Sequence, residues 1–202
     1  MKRIIAAFLA CLILIGCAPV PKTALSEMLG TQGENTYTSP LGFVIDTADL
    51  TLFSAEDLAA VNQVEEFTPE ALTKQTDNGN AITVFASAST GGASIVLSLF
   101  PADELPKGTK TAADYAAYGL PLISEKLESA GYANVQAQQV SIKLDGKEHP
   151  AILCSAQITA EVPYHLLQIC FCEGDWMGAL SLASVESEDV LQELLLRIST
   201  TD

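Results

Sequence analysis

Residues 135–184 read VQAQQVSIKLDGKEHPAILCSAQITAEVPYHLLQICFCEGDWMGALSLAS. Three turn signals divide this stretch. Asp145-Gly146 is a dipeptide that two-residue hairpins favour, because a type I′ turn needs positive φ at both central residues. Residues 161–164 carry Pro163, which cannot donate to a central ladder, and Glu173-Gly174-Asp175 is a further turn. Between the signals lie four apolar, partly alternating runs: 135–144, 147–160, 165–173 and 176–184. Each turn is too short for a crossover helix, so consecutive runs pair antiparallel. The stretch predicts a four-stranded meander.

The flanking sequence adds a second hairpin and several helices. Residues 81–87 and 93–100 are β-rich and are joined by Ser89-Thr90-Gly91-Gly92, with Pro101 ending the second strand. Thr111 and Asp114 form a capping-box signature. Tyr115, Tyr118, Leu122, Ile123 and Leu127 follow at helical spacing, up to a stop at Gly131. Pro121 falls inside this helix and predicts a kink or break near Gly119. Ser54 and Asp57 repeat the capping box before Leu58, Val61 and Val64, predicting a helix over 55–64. Thr68-Pro69-Glu70 opens a short helix to about Lys74, and 77–80 is a turn. Strand signals precede these at 37–45, broken at Pro40-Leu41-Gly42, and at 50–53. After the meander, Ser187 opens a helix with Val190, Leu191, Leu194, Leu195 and Ile198 on one apolar face. The whole is an α+β class: an antiparallel sheet, with the four-stranded meander at its carboxyl end, packed by helices.

The amino end is of another kind. Lys2 and Arg3 precede an unbroken apolar run, 4–15, which ends in Leu14-Ile15-Gly16-Cys17. The run is too short to span a hydrocarbon core of about 20 residues and suits a signal-peptide h-region. The context resembles the bacterial lipoprotein signal: positive start, apolar run, Leu-x-Gly-Cys, then a polar segment. It implies a signal peptide over 1–16 and lipid attachment at Cys17. The thiol there would carry a diacylglyceryl group, and two acyl chains hold a protein stably on a membrane. Residues 17–35, with Pro19, Pro21, Gly30 and Gly33, read as a flexible tether, and 36–202 as a single domain. The expected location is the extracytoplasmic face of the cell membrane. Loss of Lys2 and Arg3 leaves eight Lys/Arg against 25 Asp/Glu, a formal charge of −17. Such a chain lacks the basic footprint that nucleic-acid binding needs.

The element order resembles the Mog1/PsbP-like group, which includes small bacterial lipoproteins. The matching features are Tyr37 and Gly42-Phe43-Val44-Ile45, the hairpin ending at Leu99-Phe100, the helix with Ala113-Asp114-Tyr115, the Asp145-Gly146 hairpin, and Gly174-Asp175-Trp176 before the last strand and closing helix. The resemblance covers about 36–199 and is one of element order and loose pattern. It implies an antiparallel sheet packed by helices and a role in binding proteins or supporting membrane complexes, with no shared catalytic residues. Fold alone assigns no function.

The residues offer little chemistry of their own. His149 and His165 each lie at a strand end, and neither Gly-x-Ser-x-Gly nor Ser-x-x-Lys occurs. Cys154, Cys170, Cys172 and His165 form the one group of soft ligands. Buried thiols, a Cys154 disulfide and a metal site are all compatible with the pattern. The stripe Ile152, Cys154, Ala156, Ile158 and the stripe Leu167, Ile169, Phe171 favour thiols, because a shared core face would point Cys170 and Cys172 away from Cys154. Asp103-Glu104 and 186–189 are acidic but lack the spacing of a calcium loop. The latter suits a helix N-terminus. Gly91-Gly92 opens no helix and precedes no lysine, so it reads as a turn and not a phosphate cradle. The leading reading is a lipid-anchored surface protein without cofactor or catalysis. Its acidic domain would bind a protein partner or support a membrane complex. A small-molecule carrier or sensor is the alternative, and an enzyme would need a cleft holding a histidine or paired acids.

Overall fold

A computed structural model describes residues 23–76, 81–102, 105–106 and 109–201. The signal peptide, Cys17, the 77–80 turn and Asp103-Glu104 lie outside the described residues. Those described form five helices and eleven strands. The main sheet has seven antiparallel strands in the order β4-β5-β6-β10-β9-β8-β7. They are β4 (Leu50–Leu52), β5 (Ala81–Ala88), β6 (Ala93–Pro101), β7 (Ala133–Leu144), β8 (Lys147–Thr159), β9 (Val162–Glu173) and β10 (Trp176–Ser184). The meander is therefore one half of the sheet, and β6 joins it by pairing with β10 (Leu180 opposite Leu97). At the β7–β8 turn, Asp145 and Gly146 have φ of 46° and 86°, the two positive values that a type I′ turn requires.

A second, four-stranded sheet has the order β1 (Thr31–Gln32), β2 (Thr36–Ser39), β3 (Phe43–Asp46), β11 (Ile198–Thr200). It shares one core with one face of the main sheet, where Phe43, Ile45, Leu97, Ile169, Leu180 and Leu182 are fully buried. Helices α1 (Leu25–Met28), α3 (Pro69–Thr76) and α5 (Glu188–Leu195) contribute Leu25, Met28, Leu72, Leu191 and Leu194 to this core. Helices α2 (Ala55–Asn62) and α4 (Ala112–Ser129) cover the other face, over Val96, Phe100, Ile152, Leu166 and Met177.

Both capping boxes form. The Ser54 and Asp57 side chains exchange hydrogen bonds with each other's backbone N–H, and so do those of Thr111 and Asp114. Helix α4 ends where the sequence expects. The Gly131 N–H donates to the Glu128 carbonyl and the Tyr132 N–H to that of Leu127, which satisfies two end carbonyls.

Four expectations are corrected. Residues 23–35 are not tether. Leu25 and Met28 are each 3% exposed, β1 pairs with β2, the Tyr37 hydroxyl donates to the Leu29 carbonyl at 2.6 Å, and the Trp176 indole N–H donates to the Thr23 carbonyl at 3.0 Å. The glycines and prolines hid two apolar anchors three residues apart. Helix α4 shows no break at Pro121: it runs unbroken, with Ala117 and Pro121 both exposed, so the carbonyl that loses its partner lies on the solvent side. Strand β9 starts at Val162 and not at His165, because Ala160-Glu161 makes the turn and Thr159 pairs with Val162. The closing helix ends at Leu195. Ile198, expected on its apolar face, is buried in β11 opposite Ile45. Ser187 stands at the helix cap without a side-chain bond. Instead the Ser184 hydroxyl accepts from the Glu186 and Ser187 N–H groups.

Candidate functional site

The cysteines come first because their positions follow from register. Cys154 pairs with Leu166 and Cys170 with Ala179, and Cys154 and Cys170 lie in the core under α4. They share a sheet face, contrary to the expectation from the stripes, because both faces of the sheet are covered and each carries apolar residues. Four positions along β9 still separate Cys170 from Leu166, the partner of Cys154. That is roughly 13 Å of strand, twice what a disulfide can bridge. None of the three domain cysteines holds a disulfide. Burial pushes the Cys170 thiol up to about 12. Burial and then the neighbouring Glu173 raise that of Cys172. Neither supplies a thiolate near neutral pH, and the thiolate is the form that attacks and ligates. Among the described residues no three His, Cys, Asp or Glu side chains converge as a metal site.

The two histidines are well apart: His149 lies beside Phe171, six positions along β9 from His165, roughly 20 Å. His149 sits on β8, its ring 5.1 Å from that of Phe171, with Nε2 buried and without a hydrogen-bond partner. Burial first, then Lys147, lowers its pKa below the ordinary 6.5, against an opposing pull from Glu148. His165 pairs with Ser155 and Ser184. It lines a cleft of about 380 Å³ with Gln136, Gln138, Ser155 and Glu188. No sequence motif joins these residues. The hairpin register and the docking of α5 bring them together. Glu188 and Asp189 occupy the first turn of α5, where acids are favourable.

A second groove, about 270 Å³, lies between the amino-terminal segment and the edge of the main sheet. Leu29, Tyr37, Leu52, Phe53, Phe67 and Phe85 line it. It sits beside a register shift between Ile82 and Val84 in β5. Asn62, 2% exposed, pins this irregularity. Its amide donates to the Leu58 and Ile82 carbonyls, both at 2.8 Å, and its oxygen accepts from the Ile82 N–H at 2.7 Å. Sequence reading missed Asn62, whose only signal is a polar residue at the end of an apolar helix face. At Gly91-Gly92 the structure shows a hairpin end packed on an acid. A Cβ at Gly92 would collide with the Glu186 carboxylate, which also accepts from the Thr90 hydroxyl. A carboxylate there repels phosphate.

No protein-family model and no curated protein sequence matches this chain. Among solved structures it is similar to the solution structure of cyanobacterial PsbP (CyanoP) from Synechocystis sp. PCC 6803. The TM-score is 0.47 and the identity 12%, over 85% of this chain and 98% of that one. None of that protein's roles passes to this chain through a likeness so distant.

The described surface exposes two large hydrophobic side chains, Val162 and Leu196. No described helix is long and apolar enough to cross a membrane. Cys17, the one site residue the sequence names, precedes the described residues by six positions.

Proposed function

We propose that this chain is a lipoprotein held on the extracytoplasmic face of a membrane by a diacylglyceryl group on Cys17, and that its acidic domain binds a protein partner or supports a membrane complex without catalysing a reaction. One observation carries the reading: Leu14-Ile15-Gly16-Cys17 closes an apolar run and lies just ahead of a folded domain. Burial of the thiols and the distance between the histidines speak against catalysis by those groups. Among the described residues only Val162 and Leu196 are exposed large hydrophobics, so the proposed docking face is polar, and the acid excess of the chain favours a basic partner. Crosslinking in the native membrane tests this. A protein captured by the wild type and lost with Cys17→Ala supports the reading. Capture that is equal in the soluble variant would remove the membrane from the account. The cleft at His165 favours a second reading, a carrier for a small polar ligand.

A further inference from the structure

Thr23, the first described residue, is fixed at one end of the main sheet. The Trp176 indole N–H holds its carbonyl, and its hydroxyl lies 3.9 Å from where a Cβ on Gly174 would stand. The turns Asp145-Gly146 and Gly174-Asp175 mark this end. Ala160-Glu161 and the Gly91-Gly92 turn mark the other. Six residue steps from Cys17 to Thr23 span at most about 20 Å. Strand β9 alone, from Val162 to Glu173, is roughly 40 Å long. To stand on its far end the domain would have to lift Thr23 by about the length of the sheet, which the tether cannot reach.

We infer that the lipid surface itself is docked by one end of the domain, the end carrying the Asp145-Gly146 and Gly174-Asp175 turns, with the opposite end held outward. This rests on lipid attachment at Cys17. Of the six described Lys and Arg residues, Lys110, Lys143 and Lys147 lie at the docked end, but Asp114, Asp145, Glu148, Glu173 and Asp175 lie there too, so the orientation follows from the short reach to Thr23 and not from charge.

The full-length lipidated protein in phosphatidylcholine vesicles with a headgroup-labelled acceptor lipid tests this. Donors would be placed at Glu173→Cys or Glu161→Cys, which remove the same charge at opposite ends of β9. A Cys172→Ser background leaves only the buried Cys154 and Cys170 besides the probe. Energy transfer should be about twofold or more stronger from position 173, given roughly 40 Å between the sites. Insertion of about 20 Gly/Ser residues between Pro21 and Lys22 should largely erase the difference. Equal or reversed transfer in vesicle-bound, lipidated protein overturns the orientation and leaves the anchor standing. A difference that survives the long insert overturns the short tether as its cause. Absence of lipid on Cys17 overturns anchor and orientation together.

Discussion

Three residues set how the domain responds to pH, reagents and mutation. His149 holds its Nε2 buried without a partner, and its pKa lies below the ordinary 6.5. The unfolded chain therefore takes up the proton more readily than the folded one. Above the unfolded value the histidine costs nothing. As the pH falls through that value and down to the folded pKa, it destabilises the fold progressively. Wild type should lose more stability than His149→Gln between about pH 7 and about pH 5, as read from denaturant midpoints at each pH; parallel losses would remove the histidine from the account. Cys170, raised to about 12 by burial, should resist iodoacetamide at neutral pH in the native protein and react only after unfolding; prompt native labelling, located by peptide mapping, would contradict its burial. Asn62 bonds two buried carbonyls and one N–H, so Asn62→Leu should cost about 2–3 kcal/mol in chemical denaturation. The sequence points at histidines and cysteines because their chemistry is conspicuous. It hides Asn62, whose importance arises only when α2 meets the irregular edge of β5.

At the scale of elements, the amino-terminal segment decides where the domain starts. Leu25 and Met28 are buried in the main core, each stabilising by about 1.5–3 kcal/mol. A chain beginning at Thr36 should be markedly less stable than one beginning at Thr23, and Leu25→Ala should cost about 2–5 kcal/mol; thermal melts of the three compare them directly, and matching melting temperatures would return 23–35 to a tether. The elements that sequence reading placed well carry local signals of their own: the reciprocal caps at Ser54 and Thr111, the stop at Gly131, the Asp145-Gly146 turn. Those it misplaced depend on distant partners. Helix α1 is too short to hold by itself and forms against the core. Strand β11 exists because β3 offers an edge to Ile198. Which face Cys170 takes was not legible either, because covering both sides of the sheet blurs the alternation that would reveal it.

At the scale of the molecule, two packed sheets and their helices make up the described fold, whereas the proposed function rests on Cys17, which lies outside the described residues. Among the described residues, the domain brings a polar cleft at His165 and two exposed large apolar side chains. The attachment is the central claim, and the mature amino-terminal peptide tests it most directly. In protein extracted from membranes with detergent, the mass of that peptide should correspond to a chain beginning at Cys17 and carrying a diacylglyceryl group, while Cys17→Ala should retain residues 1–16. A mature chain that begins elsewhere, or an unmodified Cys17 thiol, would contradict the account.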